Sequence, residues 1–429
     1  MKHKFLLIAL LTAAESHAAE RTFSDALTAI VAQNPALTAQ QETAAAAAER
    51  LTPLGYHYLP TVSVVGENAY QAPAQELDKR LRTTSVGLDI RSNLFRFGAD
   101  RAAATAAELD VKKQTAKVKV ARFKLEAEAA AQLLDAITAR LELDVIRKIA
   151  SSRDDLLKVA KRQYSKGMIA AQEVTKIEVD LGSATARVID AEADVARSAA
   201  NLAPYLGGDA IETAWPFRVI VLAAQKDIVK PGAIDGLVAA TADQPELEAA
   251  RLEAAQQEQQ LTAARARQYP YLDLRAGLDK RVEGEAGVPG FEAGAPRASA
   301  ALVLTVPLFE RFESTANYRA AAHTKAAADA DLAAQQMASG TSLASAKALL
   351  KAALTTVQSR EQLLVSARQL YRDNLTRFER GLVTVNEMTL DEGRLYEAEL
   401  ATIRGWKTTH QSVIGLCHAL GKDIKGCVF

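Results

Sequence analysis

The chain has few side chains whose type and spacing could support catalysis or metal binding. Its histidines do not have the spacing of a metal site, and although two of them could share a helix face, an isolated pair is more often structural. No nucleophile elbow and no glycine-rich phosphate loop is present. We therefore predict a protein that is not an enzyme and that carries no cofactor and no metal. The histidines are His3, His17, His57, His323, His410 and His418.

The cysteines and the overall charge also indicate no metal and no nucleic-acid partner. Cys417 and Cys427 lie near the C-terminus at a spacing that fits no metal motif. In an exported protein they could form a disulfide, and two free thiols are an equally good interpretation. The 52 Lys and Arg residues balance 52 Asp and Glu residues, without a polybasic block.

The first 18 residues have the pattern of a signal peptide. Lys2 and Lys4 precede an apolar stretch from Phe5 to Ala14, and Ser16-His17-Ala18 follows as a small-x-small cleavage site. The apolar stretch is shorter than the roughly 20 residues of a membrane-spanning helix, which disfavours an N-terminal anchor. Because no later stretch reaches about 18 consecutive apolar residues, the exported chain could enter a membrane only as a closed barrel.

The distribution of proline predicts very long helices. No proline lies between Pro73 and Pro204, and none follows Pro307. Both stretches are rich in Ala, Leu, Glu, Lys, Arg and Gln, which are the best helix formers. We predict long helices over about 97–205 and 312–421. The first of them, from about Ala99 to Tyr164, would be about 100 Å long at about 1.5 Å per residue.

An internal repeat divides the mature chain into two halves. Asn34-Pro35-Ala36-Leu37 recurs as Gln244-Pro245-Glu246-Leu247, and Tyr164-Ser165-Lys166-Gly167 recurs 214 positions later as Phe378-Glu379-Arg380-Gly381. We predict a first repeat over 19–210, a linker over 211–231 and a second repeat over 232–429. In each repeat a short helix (22–33 or 232–242) and a proline-started helix (35–57 or 245–268) precede the strands.

Two strand pairs, over about 60–93 and 270–308, precede the long helices. Leu272, Leu274 and Leu278 alternate with polar or charged residues, as do Val86, Leu88 and Ile90. This pattern is typical of a transmembrane barrel strand, with a half-buried soluble sheet as the alternative. Four strands cannot close a barrel, so closure requires several chains, and three chains would supply twelve strands. The loops at 72–81 and 283–296 would face outward.

Aromatic residues flank the predicted strands. Because the strands of a hairpin begin and end at the same rim, these rings would form one aromatic girdle at a membrane interface. The girdle residues are Tyr56, Tyr58, Phe95, Phe97, Tyr269, Tyr271, Phe309 and Phe312.

Together these features resemble the TolC family of outer-membrane efflux and secretion proteins. The resemblance covers essentially the whole mature chain. It depends on the repeat, on the Leu-Phe pairs that end the strands (Leu94-Phe95 and Leu308-Phe309) and on the two turn motifs around Gly167 and Gly381. It implies a mixed α and β fold and a homotrimer. The twelve-stranded barrel, with four strands per chain, would span the outer membrane of a diderm bacterium and continue as a long α-helical barrel in the periplasm.

The resemblance also assigns residues at the two turns. Gly167-Met168 and Gly381-Leu382 would contact a periplasmic adaptor. The acidic residues six positions after each glycine, Glu173 and Glu387, would belong to a closed iris at the periplasmic tip. In the second repeat the family's acidic residue faces the lumen. Three copies of Glu387 would therefore form a carboxylate ring that favours cations.

Each of these glutamates has an alternative role, and the iris departs from the family pattern. Glu173 and Glu387 could simply cap a helix and compensate its dipole. A second acidic lumen position of the family is Leu390 here, with Asp391 adjacent, and a basic residue that holds the iris closed in some members is replaced by Val383. The iris would then be closed by a different set of contacts.

The predicted function is the exit duct of a tripartite efflux pump or a type I secretion system. The chain would work with a periplasmic adaptor and an inner-membrane transporter, and the cargo could be a drug, a metal or a protein. A soluble periplasmic coiled-coil adaptor or a holdase chaperone is the alternative, because it would share the export signal and the long helices. Such a protein would not need two amphipathic strand pairs.

Overall fold

The computed structural model describes residues 27–28, 30–32, 34–71, 81–206, 244–283, 294–379 and 382–424. The predicted signal peptide, the linker, the short helix at 232–242 and most of both outer loops lie outside these residues. Of the short helix predicted over 22–33, residues 27–28 and 30–32 are helical.

The two halves of the chain contain the same elements in the same order. The first half has helix α1 (Pro35–Gly55), strands β1 (Thr61–Gln71) and β2 (Leu81–Phe95), and helices α2 (Ala99–Ser165) and α3 (Ala171–Leu202), which is followed by a 3-10 turn (Ala203–Leu206). The second half has α4 (Pro245–Ala266), β3 (Tyr271–Glu283), β4 (Arg297–Thr305), α5 (Glu313–Glu379) and α6 (Val385–Leu420). The four long helices and two strand pairs predicted from the sequence are therefore confirmed.

Local chemistry explains why the first helix of each half begins where it does. Pro35 and Pro245 occupy the first helical position, where the missing amide hydrogen has no partner to lose. The Asn34 side chain accepts a hydrogen bond from the Ala36 amide at 2.9 Å, as an N-cap residue does. Its counterpart Gln244 instead donates from Nε2 to the Ala419 carbonyl at 2.5 Å.

The strands form one antiparallel sheet in the order β1-β2-β3-β4. Its register sorts the side chains into two faces. One cross-strand row is Val64, Leu88, Leu278 and Ala298, and the neighbouring row on the opposite face is Ser63, Asp89, Gly277 and Ser299. Side chains on both faces are exposed in the single chain: Val64 at 74% and Leu302 at 67% on the first face, and Ser63 and Ser299 on the second. We call these faces the apolar face and the polar face.

The chain forms two compact units. The sheet unit comprises the described residues of 40–118 and 246–336, and the helix unit comprises those of 1–39, 119–245 and 337–429. In the sheet unit, the buried Lys113 ammonium of α2 donates to Glu253 at 2.8 Å and to Gln256 at 2.6 Å, both in α4. Burial alone would lower the pKa of Lys113, but its hydrogen bonds to Asp110 and Glu253 raise the pKa overall. The network fixes α4 against α2.

The main core of the helix unit joins α2, α5 and α6. Leu133, Leu350 and Leu416 are essentially inaccessible to water there. Cys417 belongs to this core and is disulfide-bonded, while the other cysteine of the chain, Cys427, lies outside the described residues. Among the helices that the structure describes, none is long and apolar enough to cross a membrane.

Candidate functional site

Each strand pair passes into its long helix through two residues with left-handed backbone conformation. These are Phe97 and Gly98, with φ of 49° and 82°, and Arg311 and Phe312, with φ of 49° and 64°. In both junctions the first helical amide donates to the carbonyl three residues earlier at 2.9 Å. A non-glycine residue in this region costs about 1–2 kcal/mol. The second junction therefore keeps a phenylalanine where the first has a glycine, at a cost in conformational energy.

Predicted girdle residues meet at these junctions. Phe97 lies 4.8 Å from Phe95 and 5.2 Å from Tyr269 between ring centroids, so one cluster joins the two halves of the chain. Phe309 and Phe312 pair at 5.7 Å, and both rings are more than 70% exposed. Tyr56 and Tyr58 also pair, at 6.4 Å. Tyr271 is half-buried and receives the Arg96 guanidinium 5.4 Å from its ring centroid.

The turn between α2 and α3 is closed by backbone hydrogen bonds. The Met168 amide donates to the Gln163 carbonyl at 3.0 Å, and the Gly167 amide donates to the Tyr164 carbonyl at 2.8 Å. These two bonds form a Schellman motif, which needs a left-handed residue after the helix, and Gly167 has φ 74°. Met168 is then exposed at the tip of the turn.

The turn between α5 and α6 repeats the first of these two hydrogen bonds. The Leu382 amide donates to the Arg377 carbonyl at 3.0 Å, 214 positions after the Met168 bond. Leu382 is exposed as Met168 is, while Gly381 lies outside the described residues. Both long helices therefore end with the same backbone hydrogen bond, in which an amide donates to the carbonyl five residues earlier.

The two turns differ in how the next helix begins. Helix α6 starts with a capping box. The Glu387 amide donates to Thr384 Oγ1 at 3.2 Å, and Glu387 Oε2 accepts from the Thr384 amide at 3.0 Å. The N-cap residue of helix α3 is Ala170, whose methyl side chain cannot accept a capping hydrogen bond. There Glu173 forms an exposed ion pair with Lys176 at 3.0 Å.

The remaining predicted iris residues divide between the surface and the interior. Leu390 is exposed and Val383 is half-exposed. Asp391 is buried: it accepts a hydrogen bond from the Asn374 side chain of α5 and pairs with Arg394 at 2.9 Å. Its carboxylate therefore connects α5 to α6, and its place in the iris stays a prediction.

The first turns of α3 and α6 lie close together. They line a groove of about 380 Å³ to which Glu173 and Lys176 contribute from α3, and Val385, Asn386 and Thr389 from α6. Beneath it, Val385 packs against an apolar cluster that contains Leu157, Ala160, Val174 and Ile177. The two turns thus share one packed base.

A buried ionic network joins α2 to α6, and sequence reasoning missed it. Arg153 Nε lies 3.2 Å from Glu392 Oε2, and Arg153 Nη2 donates to the Thr389 carbonyl at 3.1 Å. The Ser152 hydroxyl donates to the other oxygen of Glu392. Both charged side chains are less than 10% exposed. Burial is the main cause that raises the pKa of Tyr396 to about 12, and the nearby Glu392 charge is the second cause. The same two causes raise the pKa of Tyr371.

This network has no counterpart in the other pair of helices. Ala367 stands at the position equivalent to Arg153 and is buried in an apolar cluster with Leu395 and Ala398. Glu178 stands at the position equivalent to Glu392. Glu178 pairs on the surface with Lys161 at 2.8 Å. Glu392 is one of eight Asp, Glu, Lys and Arg residues in α6, so its sequence context does not single it out.

Comparison with known proteins identifies the family of the chain. Residues 24–208 and 237–422 match the outer membrane efflux protein family. The chain belongs to that family. The two matched segments coincide with the two halves described above. As a member, the chain is an outer-membrane channel that serves as an exit duct for efflux or secretion, and it is not an enzyme. The soluble adaptor or chaperone alternative is thereby set aside.

Similar proteins agree with this assignment. The chain is 27% identical over 338 residues to Protein CyaE of Bordetella pertussis. The aligned region covers 77% of this chain and 69% of that protein. The outer membrane protein VceC of Vibrio cholerae has a TM-score of 0.77 at 16% identity, with 94% of this chain and 96% of VceC covered. The Neisseria gonorrhoeae MtrE outer membrane channel has a TM-score of 0.76 at 18% identity, with 92% and 88% covered. At these identities the structural matches show a shared fold.

Proposed function

We propose that three copies of this family member assemble into a channel with a twelve-stranded barrel. The proposal rests on the four-stranded sheet, which has an apolar face and a polar face and whose outer strands, β1 and β4, each pair with only one other described strand. Edge strands of this length are rarely left open, and a closed barrel would pair β4 of one copy with β1 of the next. The apolar face would then contact lipid and the polar face would line water.

The exposed aromatic rings support a membrane position for the sheet. Phe309 and Phe312 lie at the same end of the strands as Phe95, Phe97 and Tyr269. Rings of this kind favour the interface between lipid and water. An end-of-sheet cluster with rings more than 70% exposed fits that environment better than it fits bulk water.

We further propose that the two turns form the periplasmic gate and contact an adaptor. Exposed Met168 and Leu382 follow the turns and would offer apolar contacts to the adaptor. Glu387 would supply one carboxylate per copy to the constriction, because its Oε2 contacts only Thr384 and no ion pair with a described cation neutralises it. Glu173 carries less free charge because Lys176 pairs with it.

The adaptor would connect the channel to an inner-membrane transporter, as in a tripartite efflux pump or a type I secretion system. In either system the transporter and adaptor would select the cargo. Crosslinking in cells through a photoreactive residue at Met168 or Leu382 tests the contact. The proposal predicts crosslinks to a periplasmic protein from both positions and none from exposed Leu349, which lies elsewhere on α5.

Membrane extraction and crosslinking test the assembly. Cysteines placed on β1 and β4 should link neighbouring copies and yield a covalent trimer in outer membranes. The matched control places the same cysteines on the central strands β2 and β3, which pair within one chain and should give no link between copies. A mature protein that stays soluble without detergent and never yields a trimer would overturn the proposal.

A further inference from the structure

Two arginines lie side by side on the polar face of the sheet. Arg91 of β2 is the direct cross-strand partner of Arg275 of β3, in a row completed by Thr61 on one side and Ala301 on the other. Directly opposed residues have Cβ atoms only about 5 Å apart, and like charges in this arrangement destabilise a sheet. The row therefore carries an electrostatic cost that uncharged side chains would avoid.

Neighbouring carboxylates compensate only one of the two charges. Arg91 Nε lies 2.6 Å from Asp89 Oδ1, on the same face of the same strand. Asp273, two residues before Arg275 on β3, lies 3.6 Å from Arg96. Within the described parts of the chain, Arg275 has no ion-pair partner, and its side chain is exposed. An uncompensated positive charge therefore projects from the polar face at this row.

The next rows of the same face carry less net positive charge. Successive rows lie about 7 Å apart along the strands. The row above contains Asp89 with Ser63, Gly277 and Ser299, and the following row contains Asp279 and Arg297 with two uncharged residues. The Arg91–Arg275 row is thus the most positive level among the described residues of the polar face.

We propose that Arg91 and Arg275 form an anion-binding site on the wall of the barrel. This inference rests on the proposed trimer, in which three copies bring six arginines to one level of the lumen. Guanidinium groups bind carboxylate, phosphate and sulfonate oxygens with two parallel hydrogen bonds, so the site selects cargo groups of that chemistry. Anions that pass through the channel would therefore meet positive charge at this level and negative charge at Glu387.

Reaction rates of a reporter cysteine measure the local potential directly. Ala301→Cys places a thiol beside Arg275 in the same row. The thiol is treated from the outer side with an anionic sulfonatoethyl and a cationic trimethylammonioethyl methanethiosulfonate.

Arg275→Gln should lower the ratio of the anionic to the cationic rate about fivefold at low ionic strength, as expected for one unit charge about 7 Å away in water. The effect should shrink as salt approaches about 1 M. The ratio cancels any change in the thiol pKa, since both reagents attack the same thiolate.

Two control variants separate this inference from the proposed function. Lys280 lies on the same strand but on the apolar face, so Lys280→Gln should leave the ratio unchanged. Ala300→Cys places the thiol on the apolar face, where lipid should block both reagents. The chain without an added cysteine gives the background from the native cysteines.

Each outcome decides a different claim. Equal reaction of Ala300→Cys and Ala301→Cys in outer membranes would overturn the barrel, and the anion site with it. Reaction confined to Ala301→Cys, with a rate ratio that ignores Arg275→Gln, would overturn the anion site alone. A fivefold fall in the ratio with Arg275→Gln but not with Lys280→Gln supports both.

Discussion

The two helix-to-helix turns have the same backbone hydrogen bond and different means of support. Met168 and Leu382 donate to carbonyls at equivalent positions, so the path of the chain is repeated. After the first turn, α3 begins without a side-chain cap and Glu173 is paired with Lys176. After the second, α6 begins with the Thr384–Glu387 capping box and is fixed to α2 through Arg153 and Glu392. The path of the chain is therefore the same at both turns, while the helix after the second turn has a side-chain cap and a buried ion pair to α2 that the helix after the first turn lacks.

The largest expected difference between the copies concerns the buried ion pair. Glu392→Gln leaves the Arg153 charge buried without its carboxylate, which should cost about 3 kcal/mol or more. The equivalent change in the other copy, Glu178→Gln, removes an exposed pair and should cost less than about 1 kcal/mol. Urea unfolding at fixed protein and detergent concentration measures both. Equal destabilisation by the two variants would contradict the comparison.

The next effect concerns the backbone of the first turn. Gly167 has φ 74°, so Gly167→Ala forces a side chain into the left-handed region and should destabilise the turn by about 1–2 kcal/mol. Nothing lies within 4 Å of the added Cβ, so the cost is conformational and not a clash. Gly167→Asn should cost less than Gly167→Ala, since asparagine tolerates this region. A larger cost for asparagine in the same urea assay would refute this explanation.

A smaller effect tests the unequal helix starts. Thr384→Ala removes the cap of α6 and should cost about 1 kcal/mol, while Ala170→Thr gives α3 the residue that α6 has and should stabilise it by up to about 1 kcal/mol. Hydrogen exchange at the Glu387 and Glu173 amides reports each change locally. The amide of Glu387 should exchange about fivefold faster in Thr384→Ala, a factor that corresponds to about 1 kcal/mol. Unaltered exchange at both sites would show that the capping box does not support α6.

The last effect concerns Tyr396 of α6 and is seen only at high pH. Burial and the Glu392 charge raise the pKa of Tyr396 from 10.0 to about 12. Because the unfolded phenol ionises first, the stability that Tyr396 contributes is complete below about pH 10 and falls as the pH rises from 10 to 12. Ultraviolet titration of the wild type against Tyr396→Phe isolates this group. In Glu392→Gln its pKa should fall, and an unchanged value would show that Glu392 does not act on it.

Much of the fold could be predicted from sequence because its signals are local. The absence of proline predicted the long helices, the alternation of apolar and polar residues predicted the strands, and Thr384-x-x-Glu387 has the sequence pattern of a capping box. The Arg153–Glu392 pair could not be predicted in this way. Its members are 239 positions apart, and only the packing of α6 against α2 brings them together. The burial of Asp391 against Asn374 likewise depends on the packing of α6 against α5, and its place in the iris stays a prediction.

We propose that Glu387, and not its counterpart Glu173, supplies the charge of the gate. Glu387→Gln tests it cleanly, since glutamine also serves in a capping box and the variant removes charge while keeping the helix start. The measurement is block of single-channel current in planar bilayers by hexamminecobalt(III) added on the side of the turns. We expect Glu387→Gln to raise the blocking concentration about tenfold or more at low salt, and Glu173→Gln to change it by less than about twofold. Unchanged block in Glu387→Gln, or equal relief in both variants, would contradict it.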